Sequence, residues 1–138
     1  MRGDARAYDR YVTAMDAAMR VKVAGAAAHL LTVGKVADMG MGSGAGSHAL
    51  AALYPRLDVV GVDLDEEMVK RARAQYQLPN LSFVVGDVAD AVFEPESLNA
   101  IFNSSVLHHV TSFGGYDHER AARALAAQVE QLAPGGMM

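Results

Sequence analysis

Lys35-Val-Ala-Asp-Met-Gly-Met-Gly-Ser-Gly44 decides how this chain is read. A short apolar run stopped by alternating glycines is a buried strand that ends in a tight loop, because glycine adopts backbone conformations that a Cβ forbids. Beyond the loop a helix is expected from about Ser47 to Tyr54, ended by Pro55. Leu57 to Val62 reads as a second strand. Asp63 follows it, and Asp65, Glu66 and Glu67 put acids in the first turn of a helix whose later turns carry Lys70, Arg71 and Arg73, the charge order that suits the helix dipole. Pro79-Asn80 is a turn, Leu81 to Val85 a third strand, Gly86-Asp87 a loop and Leu98 to Asn103 a fourth strand. Glu119 to Leu132 is a helix built on Ala121, Ala122, Leu125, Val129 and Leu132, after which Pro134-Gly135-Gly136 breaks the chain. Upstream of the loop, Tyr8, Tyr11, Val12, Met15, Met19, Val23, Ala26 and Leu30 recur at spacings of three and four, an amphipathic helix over roughly Asp4 to Leu31.

Continuous apolar strands alternating with helices describe β-α-β units around a parallel sheet covered on both faces, so the fold class is α/β, a three-layer sandwich. The 138 residues suit one domain, with an N-terminal helix over 1–31 and a core over 35–138. Half the residues are hydrophobic (51%), enough for a core, and the absence of Cys excludes disulfides and Cys-ligated metal. With 12 basic and 16 acidic residues the net charge is −4, and no Lys/Arg cluster offers the footprint of a nucleic-acid binder. The acidic, aromatic start (Asp4, Tyr8, Asp9) is not a secretory signal, and Val21 to Val36 is interrupted by Lys22, His29 and Lys35, short of the roughly 20 apolar residues of a membrane span. A cytoplasmic protein without membrane contact is expected.

In a parallel sheet the ligand lies outside the carboxyl ends of the strands. Those ends carry Asp38 and the glycine loop, then Asp63, Asp87, and Asn103-Ser104-Ser105. Gly40, Gly42 and Gly44 let the backbone approach a ligand, and the loop amides with the next helix N-terminus are expected to offer unpaired donors. Asp63, about 20 residues past the glycines, is placed to accept both hydrogen bonds of a ribose diol. A nucleoside-containing ligand follows. Blander roles exist for the same residues: Asp38 as a cap on the following loop, Asp63 or Asp65 as a helix N-cap, Asp87 as a turn residue.

Val36-Ala-Asp-Met-Gly-Met-Gly-Ser-Gly44 resembles the first motif of the class I S-adenosylmethionine-dependent methyltransferases, and Val60-Gly-Val-Asp63 their ribose-binding second strand. Phe83-Val-Val-Gly-Asp87 is similar to the motif whose Asp accepts the adenine amino group while the next amide, here that of Val88, meets the ring. Ile101 to Val110 is similar to the fourth strand and following turn of small-molecule members, and Leu132-Ala-Pro-Gly-Gly136 to the turn before their fifth strand. The resemblance implies a Rossmann-like sheet of order 3-2-1-4, S-adenosylmethionine as cofactor, and cofactor contacts from Asp38, Gly40, Met41, Gly42, Gly44, Asp63, Leu64, Asp87, Val88 and Asn103. It also implies a seven-stranded sheet, so a chain that stops at Met138 is expected to be truncated before strand five, leaving strand four as a bare edge open to self-association.

Methyl transfer needs no metal, and none is expected: His108, His109, Asp117 and His118 lack a helical i, i+4 ligand pair. A base is required only for a hydroxyl or charged amine acceptor, and His108 is the candidate, with His109 beside it. An Asn/Asp-Pro-Pro-Tyr/Phe run, which amine-directed DNA and glutamine methyltransferases place after strand four, is absent, so a small-molecule acceptor is expected. Two rivals are a nicotinamide-dinucleotide oxidoreductase, since Gly40 to Ala45 also fits a loose Gly-x-Gly-x-x-Ala, and a non-catalytic module that associates through strand four. Against the first, Asp38 sits poorly beside a pyrophosphate but suits an ammonium. Tyr8, Tyr11, Met15 and Met19 belong to a helix that either covers the site as a lid, as N-terminal helices do in related enzymes, or packs as core.

Overall fold

Strand pairing joins distant segments into one parallel sheet of order β3-β2-β1-β4-β5 in the computed structural model, which describes residues 5–27, 32–104, 106–113 and 115–138, with the side chains of 5–8, 11, 20, 26, 108 and 113 outside that description. The elements are α1 (Ala5–Ala27), β1 (Gly34–Met39), α2 (Ala45–Leu53), β2 (Leu57–Asp63), α3 (Glu66–Gln75), β3 (Leu81–Val85), β4 (Leu98–Asn103), α4 (Leu107–Phe113), α5 (His118–Gln131) and β5 (Leu132–Met137). The expected order of the first four strands is the one found. Side chains on β1 alternate between two cores, as a period of two requires. Val36 packs with Val23 of α1, Leu50 and Ala51 of α2, Val59 of β2 and Ala100 of β4. Ala37 and Met39 face the other way, to Val62, Ile101, Val110 of α4 and Ala124 of α5. Val69 and Ala72 of α3 close the β2–β3 end against Phe83 and Met41.

Caps explain where the helices start. Asp65, not Asp63, caps α3: its Oδ1 accepts from the amides of Glu67 (2.9 Å) and Met68 (3.3 Å). Asp117 caps α5 by accepting from Glu119 N at 2.9 Å. α2 begins at Ala45, earlier than the sequence pattern suggests, because Gly44 turns the chain in the left-handed region at φ 84.

The expectation that the sheet stops before strand five is corrected. Leu132–Met137 is a fifth parallel strand, paired with β4 at Leu98↔Leu132 and Ala100↔Met137, with a register shift between the two pairs. Pro134 and Gly135 fall inside that irregular stretch on an outermost strand, where a missing N–H and a positive φ are tolerated. β4 is therefore flanked by β1 and β5, and the bare edge on which self-association rested is absent. No helix among the described residues is long and apolar enough to cross a membrane.

Candidate active site

β1 ends at the buried Met39, and the chain then turns over the carboxyl edge of the sheet with φ of 73, 58 and 84 at Gly40, Gly42 and Gly44. A Cβ on Gly40 would stand 2.3 Å from Val106 Cγ2, so the segment between β4 and α4 can close on the loop only over a glycine. A Cβ on Gly42 would meet nothing within 4 Å: that glycine faces open space. The loop's amides are not the unpaired donors expected. Gly40 N and Met41 N both donate to the Val62 carbonyl (2.8 and 2.9 Å), Gly42 N to Asp63 Oδ2 (2.9 Å), Gly44 N to the Met41 carbonyl (3.1 Å) and Ala45 N to Ser43 Oγ (3.3 Å). The reason lies in the register: Met39 pairs with Val62, so the end of β2 and its Asp63 reach past β1 and take up the loop.

The three strand-end acids differ in what holds them. Asp63 is half-buried; besides Gly42 N it accepts from Asp65 N through Oδ1 at 3.0 Å, which fixes the plane of its carboxylate. Asp38 is 3% exposed and points, like Val36, toward α2, where Ser47 Oγ donates to its Oδ2 at 2.6 Å. Burial pushes the Asp38 carboxyl up to about 6, against the Ser47 bond, which lowers it, and with the nearby negative charge of Asp63, which adds to the rise. Asp87 accepts from Ala89 N through Oδ1 at 2.9 Å and meets the Arg120 guanidinium of α5 at 3.2 Å through Oδ2.

A cavity of about 560 Å³ opens on this rim. Gly40, Met41, Gly42, Asp63, Leu64, Asp87 and Val88 line it, and Leu64, 62% exposed, is a large apolar side chain left at its mouth. Asp38, Gly44 and Asn103 are not among the lining residues. Asp38 lies beneath α2, and Gly44 is pressed against Phe83 and Ala72. Asn103 Nδ2 donates to the buried Gln128 Oε1 at 2.7 Å, and Gln128 Nε2 in turn reaches the Val88 carbonyl at 3.3 Å, so Asn103 steadies the loop that carries Val88. The ring of His108 lies outside the described residues, whereas His109 lines the cavity.

Sequence reasoning missed part of the lining. From α1 come Val12, Met15, Asp16 and Met19; from the β4 end come Ser104, Val106 and Val110; α5 sends Arg120. Ser104 stands on the strand-end rim that the sequence marks, and Met15 and Met19 on the helix whose spacing allows it to cover the site; Asp16 and Arg120 gave no such signal. Ser43 Oγ donates to Asp16 Oδ1 at 2.6 Å, a Cβ on Gly46 would be 2.8 Å from Met19 Sδ, and Tyr54 OH donates to the Ala27 carbonyl at 3.1 Å, so α1 is fastened down over its C-terminal half. Ser104 Oγ and Asn103 Oδ1 are buried without a hydrogen-bond partner among the described residues, at a typical cost of about 1–3 kcal/mol each. Among the lining residues Asp16, Asp63, Asp65 and Asp87 face a single guanidinium, that of Arg120, so the hollow favours a ligand with positive charge. No group of three or more His, Asp or Glu suited to a metal ion occurs among the described residues. A second hollow of about 550 Å³, lined by Arg73, Tyr76 and Phe83 among others, shares no residue with this rim.

A family model described as "Methyltransferase domain" matches residues 36–136. Over 102 residues the chain is 31% identical to the phthiotriol/phenolphthiotriol dimycocerosates methyltransferase of Mycobacterium tuberculosis, covering 74% of this chain and 35% of that protein. Over 104 residues it is 34% identical to the trans-aconitate 2-methyltransferase of Deinococcus radiodurans, covering 75% and 36%. A chain of the solved complex between the Haloferax volcanii Trm112 methyltransferase activator and a methyltransferase superposes with a TM-score of 0.69 at 28% identity, over 89% of this chain and 54% of that one. The matched stretch thus corresponds to little more than a third of the curated relatives' length.

Proposed function

The chain belongs to the class I S-adenosylmethionine-dependent methyltransferases, and from that premise we propose that it binds S-adenosylmethionine in the cavity at the glycine loop and serves methyl transfer to a small-molecule acceptor. One observation carries the reading. The loop amides that would hold a pyrophosphate are spent inside the protein, while the carboxylates of Asp16, Asp63 and Asp87 share one hollow. That combination fits a nucleoside with a cationic end and disfavours a dinucleotide.

When bound, the cofactor would supply a methyl group on a sulfonium, with the acceptor–carbon bond forming in line as the carbon–sulfur bond breaks and the neutral thioether departs. The protein's own part is to bind, orient and exclude water. Asp63, its plane set by Gly42 N and Asp65 N, keeps lone pairs for a ribose diol. Asp87 and the Val88 amide take the adenine edge in this reading, with Leu64 against the ring. Met41, Gly40 and Asn103 support the loop and its neighbour, and Asp38 stiffens the turn beneath them through Ser47. Val12, Met15, Val106 and Val110 supply the apolar wall that keeps water from the reacting groups. Alignment of nucleophile and methyl carries up to roughly 7–11 kcal/mol in favourable cases. A base adds about 10²–10⁴-fold only when the acceptor must lose a proton, and His108 and His109 are its candidates, the latter facing the cavity. A small acceptor is supported by Asn103-Ser-Ser-Val106 in place of a Pro-Pro run and by the net charge of −4. The two relatives, a phthiotriol/phenolphthiotriol dimycocerosates methyltransferase and a trans-aconitate 2-methyltransferase, support an acceptor other than nucleic acid or protein.

Isothermal titration with S-adenosylhomocysteine and with NAD tests the reading. Heat of binding is expected for the first and not the second, and Asp63→Ala is expected to weaken it by at least about 30-fold through loss of a charge-assisted pair of bonds. Binding of NAD, or of neither ligand, overturns it.

A further inference from the structure

We propose that Asp16 of α1 is the carboxylate that receives the ammonium group at the amino-acid end of the ligand, the role that the sequence pattern alone suggests for Asp38. The inference rests on the S-adenosylmethionine reading of the cavity and names one of its subsites.

The strand order lays out the ligand. β3, β2 and β1 are consecutive neighbours, Asp87 follows β3 and Asp63 ends β2. A ligand whose base lies at Asp87 and whose ribose lies at Asp63 therefore extends its third part over the end of β1, across Gly40 to Ser43. The acid that β1 itself offers there is Asp38, but its carboxylate is buried under α2 on Ser47 Oγ and does not line the cavity. The carboxylate that does line it at this end comes from above. Asp16 Oδ1 accepts the Ser43 hydroxyl at 2.6 Å, which aims the group at the loop from the helix that covers it.

Two further observations bear on this end. Gly42 directs its missing Cβ into open space beside Ser43. Ser104, which follows β4, the other neighbour of β1, also lines the cavity, and its buried Oγ has no hydrogen-bond partner among the described residues. Arg120, the cation of the lining, is engaged with Asp87 at the opposite end of this layout, so an ammonium arriving near Ser43 meets Asp16 without a guanidinium competing for it among the described residues. Charge-assisted bonds of this kind are among the stronger ones a site can make, and they are lost when the acid becomes an amide.

The competing explanation is that Asp16 merely clasps α1 to the loop. Two ligands separate the explanations: S-adenosylhomocysteine carries the amino-acid end, and 5′-methylthioadenosine keeps the nucleoside and thioether but lacks it. By isothermal titration, Asp16→Asn is expected to weaken S-adenosylhomocysteine by about tenfold or more while 5′-methylthioadenosine changes by less than about twofold. Ser43→Ala removes the clasp and keeps the carboxylate, and is expected to leave the ratio of the two affinities close to wild type. Equal weakening of both ligands by Asp16→Asn, or of neither, overturns the assignment. Should Asp16→Asn loosen α1, seen as a fall in helical circular dichroism, Asp16→Glu decides: a retained preference for S-adenosylhomocysteine supports the role, and its loss overturns it. If the wild-type protein binds neither ligand, the cofactor reading itself fails, an outcome distinct from a lost ratio.

Discussion

Around the ends of β1, β2 and β3, the loop amides and strand-end carboxylates already have partners inside the protein, whereas at the end of β4 two buried oxygens have none among the described residues. Gly40, Met41 and Gly42 lean on Val62 and Asp63, Gly86 N donates to the Asp63 carbonyl at 2.9 Å, and Asp87 is held from both sides. Across the cavity Ser104, Val106 and Val110 line the wall, and the buried Ser104 Oγ and, behind that wall, Asn103 Oδ1 have no partner among the described residues. The first half is preorganised, and a ligand that docks there meets groups already aimed and loses little to reorganisation. The second half keeps hydrogen-bonding capacity that folding did not use, and a ligand can recover it. In the proposed function the first half reads the nucleoside of the cofactor, and the second lies where the cofactor's amino-acid end and the acceptor meet.

The two halves touch where Val106 lies over Gly40, and breaking that contact gives the largest effect. Gly40→Ala forces a Cβ into a left-handed position, at about 1–2 kcal/mol, and drives it against Val106, at about 1–3 kcal/mol more. A loss of roughly 3 kcal/mol is expected in urea unfolding at unchanged slope. Val106→Gly in the same chain removes both atoms the new methyl would meet, Cγ2 at 2.3 Å and Cβ at 2.6 Å, and should return the steric part while leaving the backbone part, so the double variant loses less than the sum of the single losses. A Gly40→Ala protein within about 0.5 kcal/mol of wild type would show that the loop yields and that the first half is not preorganised.

Asp38 is the member of the ordered half whose partner does not repay its burial. Its folded carboxyl titrates at about 6, above the ordinary 3.8, so the folded state binds a proton over a range in which the unfolded chain does not. The stability contribution therefore rises as pH falls through about 6 and levels off below about 4, where both states are protonated. At roughly 1.4 kcal/mol per pH unit the whole effect is at most about 3 kcal/mol. Urea unfolding of wild type and Asp38→Asn across pH 7 to 4 isolates it: the wild type should gain on the variant as the solution is acidified. A gain in the opposite direction would mean that the ionised form is the favoured one in the fold.

Much of this arrangement was legible in the sequence, for reasons that also mark where reading stopped. Leu81–Val85 and Leu98–Asn103 are strands with the bounds their apolar runs suggest, because strands buried on both faces show as uninterrupted runs between turn residues. The rim followed from the strand ends, and Asp63 and Asp87 line the cavity that they were expected to share. β5 was hidden because Pro134-Gly135-Gly136 carries breaker chemistry that an outermost, irregularly paired strand can absorb. The seven residues of α4 are too few to display a stripe. Asp16 and Arg120 reach the site from helices 27 and 33 residues away from their partners Ser43 and Asp87, and no local pattern encodes such packing.

The smallest effect is the sharpest test, because the same chemical change should carry opposite signs in the two halves. Ser47→Ala deletes a hydroxyl that is fully buried and bonded to Asp38 at 2.6 Å, and is expected to cost about 1.5–3 kcal/mol at pH 7, where the carboxylate is ionised and left without its donor. Ser104→Ala deletes a buried hydroxyl with no partner, so folding no longer has to strip water from it for nothing in return. The protein should be unchanged or more stable by up to about 1 kcal/mol, read as a shifted urea midpoint at constant slope. The gain has a counterpart in function: if Ser104 Oγ is kept for a ligand, the stabilised variant should bind S-adenosylhomocysteine or turn over its acceptor less well than wild type. A Ser104→Ala protein as destabilised as Ser47→Ala would mean that the hydroxyl is paired within the fold after all, and the contrast between the satisfied and unsatisfied halves would disappear with it.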